Sequence, residues 1–163
     1  MLEKNKVFFT AREVVEASIE LESSIKQLYI NLSHALKSTR DRIIFAKLAA
    51  DEEKHEVFLR QYIARITNEL ADQKLDNHIH KLSHHFFEKY MSHEMLVEKL
   101  KELKNVEAIF EFAIEIELDH ILYYQEIQDM VIDEEQKYIE EILRDERSHF
   151  IKLMQYLKST DLT

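Results

Sequence analysis

The chain has 163 residues, of which 45% are hydrophobic and 33% charged, and its formal net charge is −10. It contains no Gly, no Pro and no Cys. The lack of Cys excludes disulfides, iron–sulfur clusters and thiolate zinc sites in this chain. The lack of Gly argues against an all-β fold, which relies on tight turns. The length suits a single domain over residues 1–163.

Charge and hydropathy also limit the kinds of partner that the protein is expected to bind. A net charge of −10 disfavours nucleic acid and anionic membranes, whereas it tolerates cations. The N-terminal stretch MLEKNKVFFT lacks the apolar run of a secretory signal, and no stretch approaches the length of a transmembrane helix. We therefore expect a cytoplasmic protein that binds neither nucleic acid nor membrane.

The first predicted helix begins at a capping box, in which Thr10 is the N-cap and Glu13 lies three residues later. Phe9 and Val14 can form a hydrophobic staple around this N-terminus. The apolar stripe that follows predicts a helix to about Leu36, where the polar stretch KSTRD interrupts it.

A second helix is predicted to start after an N-cap at Ser38 or Thr39 and to run to about Leu70. A long connection follows, over roughly residues 72–104. Within it, the stretch SHEMLVEKLKEL predicts one short helix.

Two more helices complete the chain. Asn105 is the predicted N-cap of a third helix that runs to about Val131, and the DEEQ stretch, Asp133–Gln136, begins a fourth that runs to about Leu157. A hairpin, a long connection and a second hairpin give an all-α four-helix bundle with one long crossover connection.

The two hairpins repeat one sequence pattern. VVEASIELE, which ends at Glu22, resembles IFEFAIEIE, which ends 95 positions later at Glu117. DEEKHEVFL, from Asp51, resembles DERSHFIKL, from Asp145, 94 positions later. A tyrosine lies seven residues after each of the two glutamates, at Tyr29 and Tyr124. Because these features recur in the same order, they indicate a duplicated helical hairpin.

Each predicted helix turns ionisable side chains toward the core at mid-length, where they fill a gap in its apolar stripe. At about 1.5 Å per residue, the distances to the hairpin turns place all of them at similar heights in an antiparallel bundle. The six residues are Glu22, Glu52, His55, Glu117, Glu146 and His149.

Four carboxylates in an apolar core are prohibitively unfavourable unless they are neutralised. Two divalent cations would supply four positive charges, and the two imidazoles would bind them as neutral ligands. Glu and His at positions i and i+3 share a helix face. A single E-x-x-H motif is usually part of a solvated face, but the six residues together match the ligand order of di-iron and di-manganese bundles. The sequence therefore predicts a dinuclear metal site.

At these residues the sequence resembles the rubrerythrin branch of the ferritin-like superfamily. IELESSIKQLY and IEIELDHILYY are similar to the family's first and third helices, and LAADEEKHEVFL and ILRDERSHFIKL to its second and fourth. The resemblance implies a ferritin-like fold and a centre of two non-haem iron ions. It implies that Glu22 and Glu117 are terminal ligands, that Glu52 and Glu146 bridge, and that His55 and His149 each bind one iron.

The resemblance further implies reduction of hydrogen peroxide to water by the diferrous centre, often in a homodimer. A ferroxidase or iron-storage subunit that uses O₂ is the alternative, and a non-enzymatic helical protein with structural metals is a third. Iron itself rests on the resemblance, since oxygen and imidazole ligands also suit manganese and zinc.

Two features depart from the family. Full rubrerythrins carry a rubredoxin module with two Cys pairs, so this chain would need a separate electron donor, such as a rubredoxin-type protein. Many rubrerythrins also have a carboxylate three residues after the terminal glutamate of the third helix, which exchanges with a histidine as iron changes oxidation state. His120 occupies that position here. His120 could be a seventh ligand, a group just outside the ligands or a packed core histidine.

Four further residues are expected around the metals. Asp51 and Asp145 lie four residues before the two histidines. Each is expected to accept a hydrogen bond from a histidine Nδ1–H, on the same helix or across the bundle, or to be a surface residue. Tyr29 and Tyr124 are candidates for hydrogen-bonding or radical-quenching partners, and aromatic core packing is the alternative for both.

The connection is rich in histidine. His80 and His84 have the i, i+4 spacing of a chelating pair if that stretch is helical. A second metal site and exposed or interface histidines are the two interpretations of this cluster, which comprises His78, His80, His84, His85 and His93.

Overall fold

The structure is a computed structural model that describes residues 10–66, 77–90, 93–128 and 133–160. The described segments form an all-α fold with six helices. They are α1 (Ala11–Ala35), α2 (Thr39–Arg65), α3 (Asn77–Tyr90), α4 (His93–Glu102), α5 (Val106–Ile127) and α6 (Asp133–Thr160).

The helix starts agree with the predicted caps. The Thr10 hydroxyl accepts from the backbone N–H of Glu13, and the Glu13 carboxylate accepts from the Thr10 N–H at 3.0 Å, so the capping box is confirmed. Ser38, and not Thr39, caps α2, and Asn105 caps α5 as predicted. The proposed staple partner, Phe9, lies outside the described residues.

Helix ends are less accurately predicted. Helix α2 ends at Arg65, before the predicted Leu70, although residues 67–76 lie outside the described part. Helix α5 ends at Ile127, before Val131, and residues 129–132 are likewise not described. Helix α6 continues three residues beyond Leu157. Polar residues at these ends are compatible with one more helical turn, so hydrophobic periodicity does not fix the last residue.

The connection holds two helices where one was predicted. Helix α4 corresponds to the predicted short helix, whereas a helix at α3 was considered only as a condition for the His80–His84 spacing. Its apolar residues recur four apart, at Leu82, Phe86 and Tyr90, and the last two are buried. That spacing is helical and was the signal available in the sequence.

The helices pack as two hairpins joined by the crossover, so the predicted four-helix bundle is confirmed. Helix α1 packs on α2 and α5 packs on α6, while α3 packs against both α1 and α5. Ser18 on α1 and Tyr123 on α5 are linked by a 2.7 Å hydrogen bond between their hydroxyls. The Phe86 ring of α3 covers this seam, 5.2 Å from the Tyr123 ring.

The apolar core fills the bundle above and below its middle. Near the α1–α2 turn, the Phe45 ring lies 5.7 Å from Tyr29 and 5.3 Å from Phe110, and all three are fully buried. Burying each such side chain contributes about 1.5–3 kcal/mol. The described helices include none that is both long and apolar enough to cross a membrane.

Candidate metal centre

Seven ionisable side chains meet at mid-height between the four long helices. Each is at most 3% exposed. They are the six predicted ligands, Glu22, Glu52, His55, Glu117, Glu146 and His149, together with His120. The gaps in the apolar stripes predicted that the six residues face the core at mid-length, and in the structure their side chains do meet there.

Glu146 lies between the two histidines of the repeat. Its Oε1 is 3.0 Å from Nδ1 of His55, and its Oε2 is 3.3 Å from Nδ1 of His149. His55 Nδ1 is also 3.6 Å from Glu52 Oε2, and His149 Nδ1 is 3.5 Å from Glu117 Oε2. Both imidazoles therefore direct Nδ1 toward the carboxylates.

The donors form two overlapping sets that could each hold one ion. Within each set of four residues, one donor atom of each lies within 4.8 Å of the others. Glu52 and Glu146 belong to both sets, as two carboxylates that bridge a pair of ions would. The first set is Glu22, Glu52, His120 and Glu146, and the second is Glu52, Glu117, Glu146 and His149.

Each hairpin donates a tyrosine hydroxyl to a glutamate of the other hairpin. Tyr29 Oη on α1 donates to Glu117 Oε1 on α5 at 2.6 Å. Tyr124 Oη on α5 donates to Glu22 Oε1 on α1. All four side chains are fully buried. The tyrosines therefore contact the two outer carboxylates as well as filling the core.

The two aspartates also cross the bundle. Asp51 Oδ2 is 3.1 Å from Nε2 of His149, and Asp145 Oδ2 is 3.4 Å from Nε2 of His55. The expected contact at Nδ1 was wrong, because Nδ1 faces the carboxylate cluster and leaves Nε2 to point outward. Since α2 and α6 are antiparallel, each aspartate lies beside the other helix's histidine. A carboxylate accepting from Nε2–H holds the tautomer in which Nδ1 is free to bind a metal.

The cluster contains buried polar atoms that have no hydrogen-bond partner in the described part of the chain. All of these atoms belong to the seven residues; among them are both oxygens of Glu52 and both nitrogens of His120. An unsatisfied buried polar group costs about 1–3 kcal/mol, and more when charged. Metal ligation would satisfy these atoms, and two divalent ions would balance the four carboxylates. The residues present therefore fit a dinuclear metal centre.

Without metal, the cluster retains protons. Burial and the neighbouring Glu146 carboxylate raise the pKa of Glu117 to about 7. Burial also holds the pKa of Glu52 well above its usual range. Although burial disfavours its cation, contacts with Glu117 and Glu146 raise the pKa of His149 to about 11. Metal ions must therefore displace protons when they bind.

The comparisons with known proteins concern the fold. No family model and no curated protein matches the sequence. A crystal structure from Thermotoga maritima, provisionally described as that of a ferritin-like diiron-carboxylate protein, matches with a TM-score of 0.73 and 20% identity over 96% of this chain and 99% of that chain. The chain has the ferritin-like fold. Its placement in the rubrerythrin branch stays a prediction.

One open groove approaches the centre of this ferritin-like bundle from outside. It has a volume of about 660 Å³, lies between α2 and α6, and has Asp51 and His149 in its wall. Apolar residues line much of it, and four cationic residues surround it. The cations are Arg40, Lys47, Lys54 and Lys152.

The groove occupies only half of the α2–α6 seam. In the other half, the rings of Phe58 and Tyr138 stack at 4.9 Å. The 94-residue repeat places Lys152 at the position of Phe58 and Ile44 at that of Tyr138. The groove therefore opens at the end of the seam where Ile44 and Lys152 take the places of the aromatic pair, which a comparison of the two repeats could have revealed.

The histidines of the connection do not join the centre in the described part. His84 Nδ1 is 3.4 Å from Glu88 on its own helix, and the exposed His85 ring contacts Phe86. The side chains of His78, His80 and His93 lie outside the described residues. The His80–His84 chelate stays a prediction.

Proposed function

We propose that this protein is a non-haem di-iron oxidoreductase that reduces hydrogen peroxide, acting in a cytoplasm as a single ferritin-like domain over residues 1–163. The observation that carries the proposal is the set of buried, unpartnered carboxylate oxygens arranged around a shared glutamate pair. The proposed ligands are Glu22, Glu52, His55, Glu117, Glu146 and His149.

The donor set favours iron over zinc. Zinc sites are mostly tetrahedral and, when catalytic, use three protein ligands. Here four carboxylates and at least two imidazoles surround two positions, which suits ions of higher coordination number and variable charge. Manganese meets the same requirements, so iron rests in addition on the resemblance in sequence to rubrerythrins.

When bound, two ferrous ions supply the two electrons that, with two protons, convert one hydrogen peroxide to two waters. The chain supplies the surroundings. Tyr29 and Tyr124 donate to the outer carboxylates and so fix their orientation. Burial, followed by the Glu117 carboxylate, raises the pKa of Tyr29 well above its usual range, so its hydroxyl keeps its proton. Complete burial of the four glutamates excludes bulk water.

Catalytic turnover would require a separate electron donor, because the chain has no Cys to hold a redox cluster of its own. We infer a rubredoxin-type protein with an acidic docking surface. The cationic groove between α2 and α6 supports this inference, since its wall contains the proposed ligand His149. Lys47 and Lys152 are exposed and have no acidic partner among the described residues.

We also infer a homodimer. Leu118 and Leu122 lie one turn apart on α5 and are each 47% exposed. Exposed leucines with this spacing form a stripe along one helix face, and a self-complementary contact between two copies of α5 would bury it.

The same donor set supports a ferroxidase or iron-storage subunit as the second candidate. The feature that favours it is the net charge of −10, which attracts cations. It would oxidise Fe(II) with O₂ and continue to take up iron. In the third, non-enzymatic alternative the metals are structural, and removing them would unfold the chain.

The deciding experiment loads metal-free protein anaerobically with two Fe(II) per chain. Oxidation is then followed after mixing with equimolar hydrogen peroxide or with O₂. Much faster oxidation by peroxide, ending at one diferric centre per chain, is expected for the peroxidase. Faster oxidation by O₂ with continued Fe(II) uptake would favour the ferroxidase instead. Failure to bind two Fe(II) would contradict the six-ligand assignment.

Paired variants separate the redox alternatives from the structural one. Glu52→Ala with Glu146→Ala should abolish oxidation while the helical content persists. The matched control, Glu53→Ala, alters the exposed neighbour of Glu52 and should behave like the parent chain. Unfolding of the double variant would point to structural metals.

A further inference from the structure

The repeat is broken at one buried position of the centre. His120 lies three residues after Glu117, and the equivalent residue of the first hairpin, 95 positions earlier, is Ile25. Both side chains are completely buried. Glutamates, histidines, tyrosines and aspartates of the centre all occur in repeat-related pairs, whereas this imidazole has an aliphatic counterpart.

His120 is directed at the carboxylates of one side of the centre. Its Nδ1 is 3.5 Å from Glu146 Oε1 and 3.9 Å from Glu52 Oε2. Nδ1 of His55 lies 3.0 Å from the same Glu146 oxygen. Two imidazoles therefore converge on Glu146 Oε1, whereas Glu146 Oε2 faces His149 alone.

A simple packing role leaves the nitrogens of His120 unexplained. Neither Nδ1 nor Nε2 has a hydrogen-bond partner among the described residues, and the nearest aromatic ring, that of Tyr124, meets the imidazole edge to face at 6.2 Å. A core histidine normally satisfies at least one nitrogen, because an unpaired buried polar group is costly. A metal ion beside Glu52 and Glu146 would give one nitrogen a partner.

We propose that His120 is a third nitrogen ligand and that it makes the two metal positions unequal. One position would have His120, from the first donor set, together with His55, which lies outside both sets but has its Nδ1 3.0 Å from the same Glu146 oxygen, and the other would have only His149. This inference rests on the proposed dinuclear centre. The position with two imidazoles takes up the first ion, and it prefers metals in the order of their affinity for nitrogen.

The imidazole of His120 also affects the charge balance of the centre. A neutral imidazole adds a ligand without adding a fifth negative charge, so two divalent ions and four carboxylates remain balanced. A carboxylate at position 120 would instead stabilise a more highly charged pair of ions. His120 therefore favours the state in which both metal ions are divalent. Because the two positions differ, the two ions are expected to bind in two separate steps.

Anaerobic titration with Co(II) tests the inequality, because Co(II) reports its ligands through visible absorption and shifted proton resonances. The parent chain should bind two Co(II) in two resolved steps and show three shifted imidazole N–H signals. His120→Ile copies the residue of the first hairpin. It should still bind two ions, with about tenfold or greater loss of affinity in the first step, and should show two such signals.

The controls separate failure of the inference from failure of the proposed centre. His120→Gln serves if the isoleucine variant does not fold, and His85→Gln changes an exposed histidine of α3 that should have no effect. If the parent binds two ions but His120→Ile or His120→Gln leaves both affinities and the number of signals unchanged, the role of His120 is overturned. If the parent itself does not bind two ions, the dinuclear centre is wrong.

Discussion

Tyr29 donates a 2.6 Å hydrogen bond to Glu117, a residue 88 positions away on the other hairpin. Tyr124 of the second hairpin donates in turn to Glu22 of the first. The two aspartate–histidine pairs likewise link α2 of one hairpin with α6 of the other. Each hairpin thus orients the predicted ligands of the other. The arrangement of the centre therefore depends on both hairpins being docked.

Removing one tyrosine hydroxyl should destabilise the metal-free protein. Tyr29→Phe leaves Glu117 Oε1 without its donor, and an unsatisfied buried acceptor costs about 1–3 kcal/mol. Urea unfolding in the presence of EDTA measures this loss. Tyr138→Phe is the matched control, since the Tyr138 hydroxyl has no partner among the described residues. Equal stability of Tyr29→Phe and the parent would contradict a structural hydrogen bond here.

Neutralising a predicted bridging ligand should stabilise the metal-free chain and weaken metal binding. Glu52 is fully buried beside Glu146 and Glu22, and burial with these neighbours raises its pKa well above the usual range. Glu52→Gln should therefore stabilise the metal-free chain, by about 1 kcal/mol or more, because it removes a buried carboxyl that resists ionisation. The same change should abolish binding of the second metal ion.

The measurement is urea unfolding with EDTA, followed by metal analysis after reconstitution. Glu53→Gln alters the exposed neighbour of Glu52 and should change the free energy of unfolding by less than about 0.5 kcal/mol. A Glu52→Gln protein that loses stability without metal and still binds two ions would show that this carboxylate is not a ligand.

The cross-bundle aspartates should control metal affinity. Asp51→Asn and Asp145→Asn remove the acceptors that hold Nε2–H of His149 and His55, and loss of such partners lowers metal affinity about 10–100-fold. Competition with a chromogenic chelator measures the change. Glu141→Gln, which changes an exposed residue of α6, is the control. Unchanged affinity in both variants would place these aspartates outside the function of the centre.

The stability of the metal-free fold should fall as pH rises, whereas the stabilisation given by bound metal should increase. In the metal-free fold the pKa of Glu117 is raised to about 7, and those of His120 and His149 to about 9 and about 11. The folded state then binds more protons than the unfolded chain above pH 5, so its stability falls as pH rises. Metal binding needs deprotonated ligands and strengthens with pH.

Thermal unfolding between pH 6 and 9 tests this prediction. The melting temperature in EDTA should fall by several degrees over that range, and the stabilisation given by added metal should grow. The carboxylates with lowered pKa, Glu22 and Glu146 among them, are ionised in both states throughout this window and do not alter the sign. Parallel curves with and without metal would contradict ligation by these groups.

The cationic groove should govern reduction by an acidic donor. Lys47→Glu with Lys152→Glu should slow reduction of the diferric centre by a rubredoxin-type protein and reduce the dependence of that rate on salt. Reduction by dithionite should not be slowed to the same extent. Lys101→Glu with Lys104→Glu makes the same charge change at exposed positions elsewhere. Equal slowing by both pairs would mean that net charge, and not the groove, controls the rate.

The fold, and the meeting of the six predicted ligand residues inside the bundle, were accessible from the sequence because each depends on local spacing. Gaps in the apolar stripes located Glu22 and Glu117, and the repeated D-E-x-x-H motif located the histidines. What could not be predicted depends on how helices rotate and dock. The choice between Nδ1 and Nε2, and the partner of Tyr29, are set by contacts between residues 98 and 88 positions apart.

The two halves of the α2–α6 seam differ, although the two hairpins repeat one sequence pattern. In an assembly of two identical hairpins, every substitution near the shared centre would occur twice, so a lysine in place of Phe58 would open both ends of the seam. Within a single chain, each hairpin can carry its own substitutions. One end of the seam has the stacked rings of Phe58 and Tyr138, one from each hairpin, while the other end has Ile44 and Lys152 and an open approach. The two sequence differences between the repeats thus coincide with a closed end and an open end of one seam.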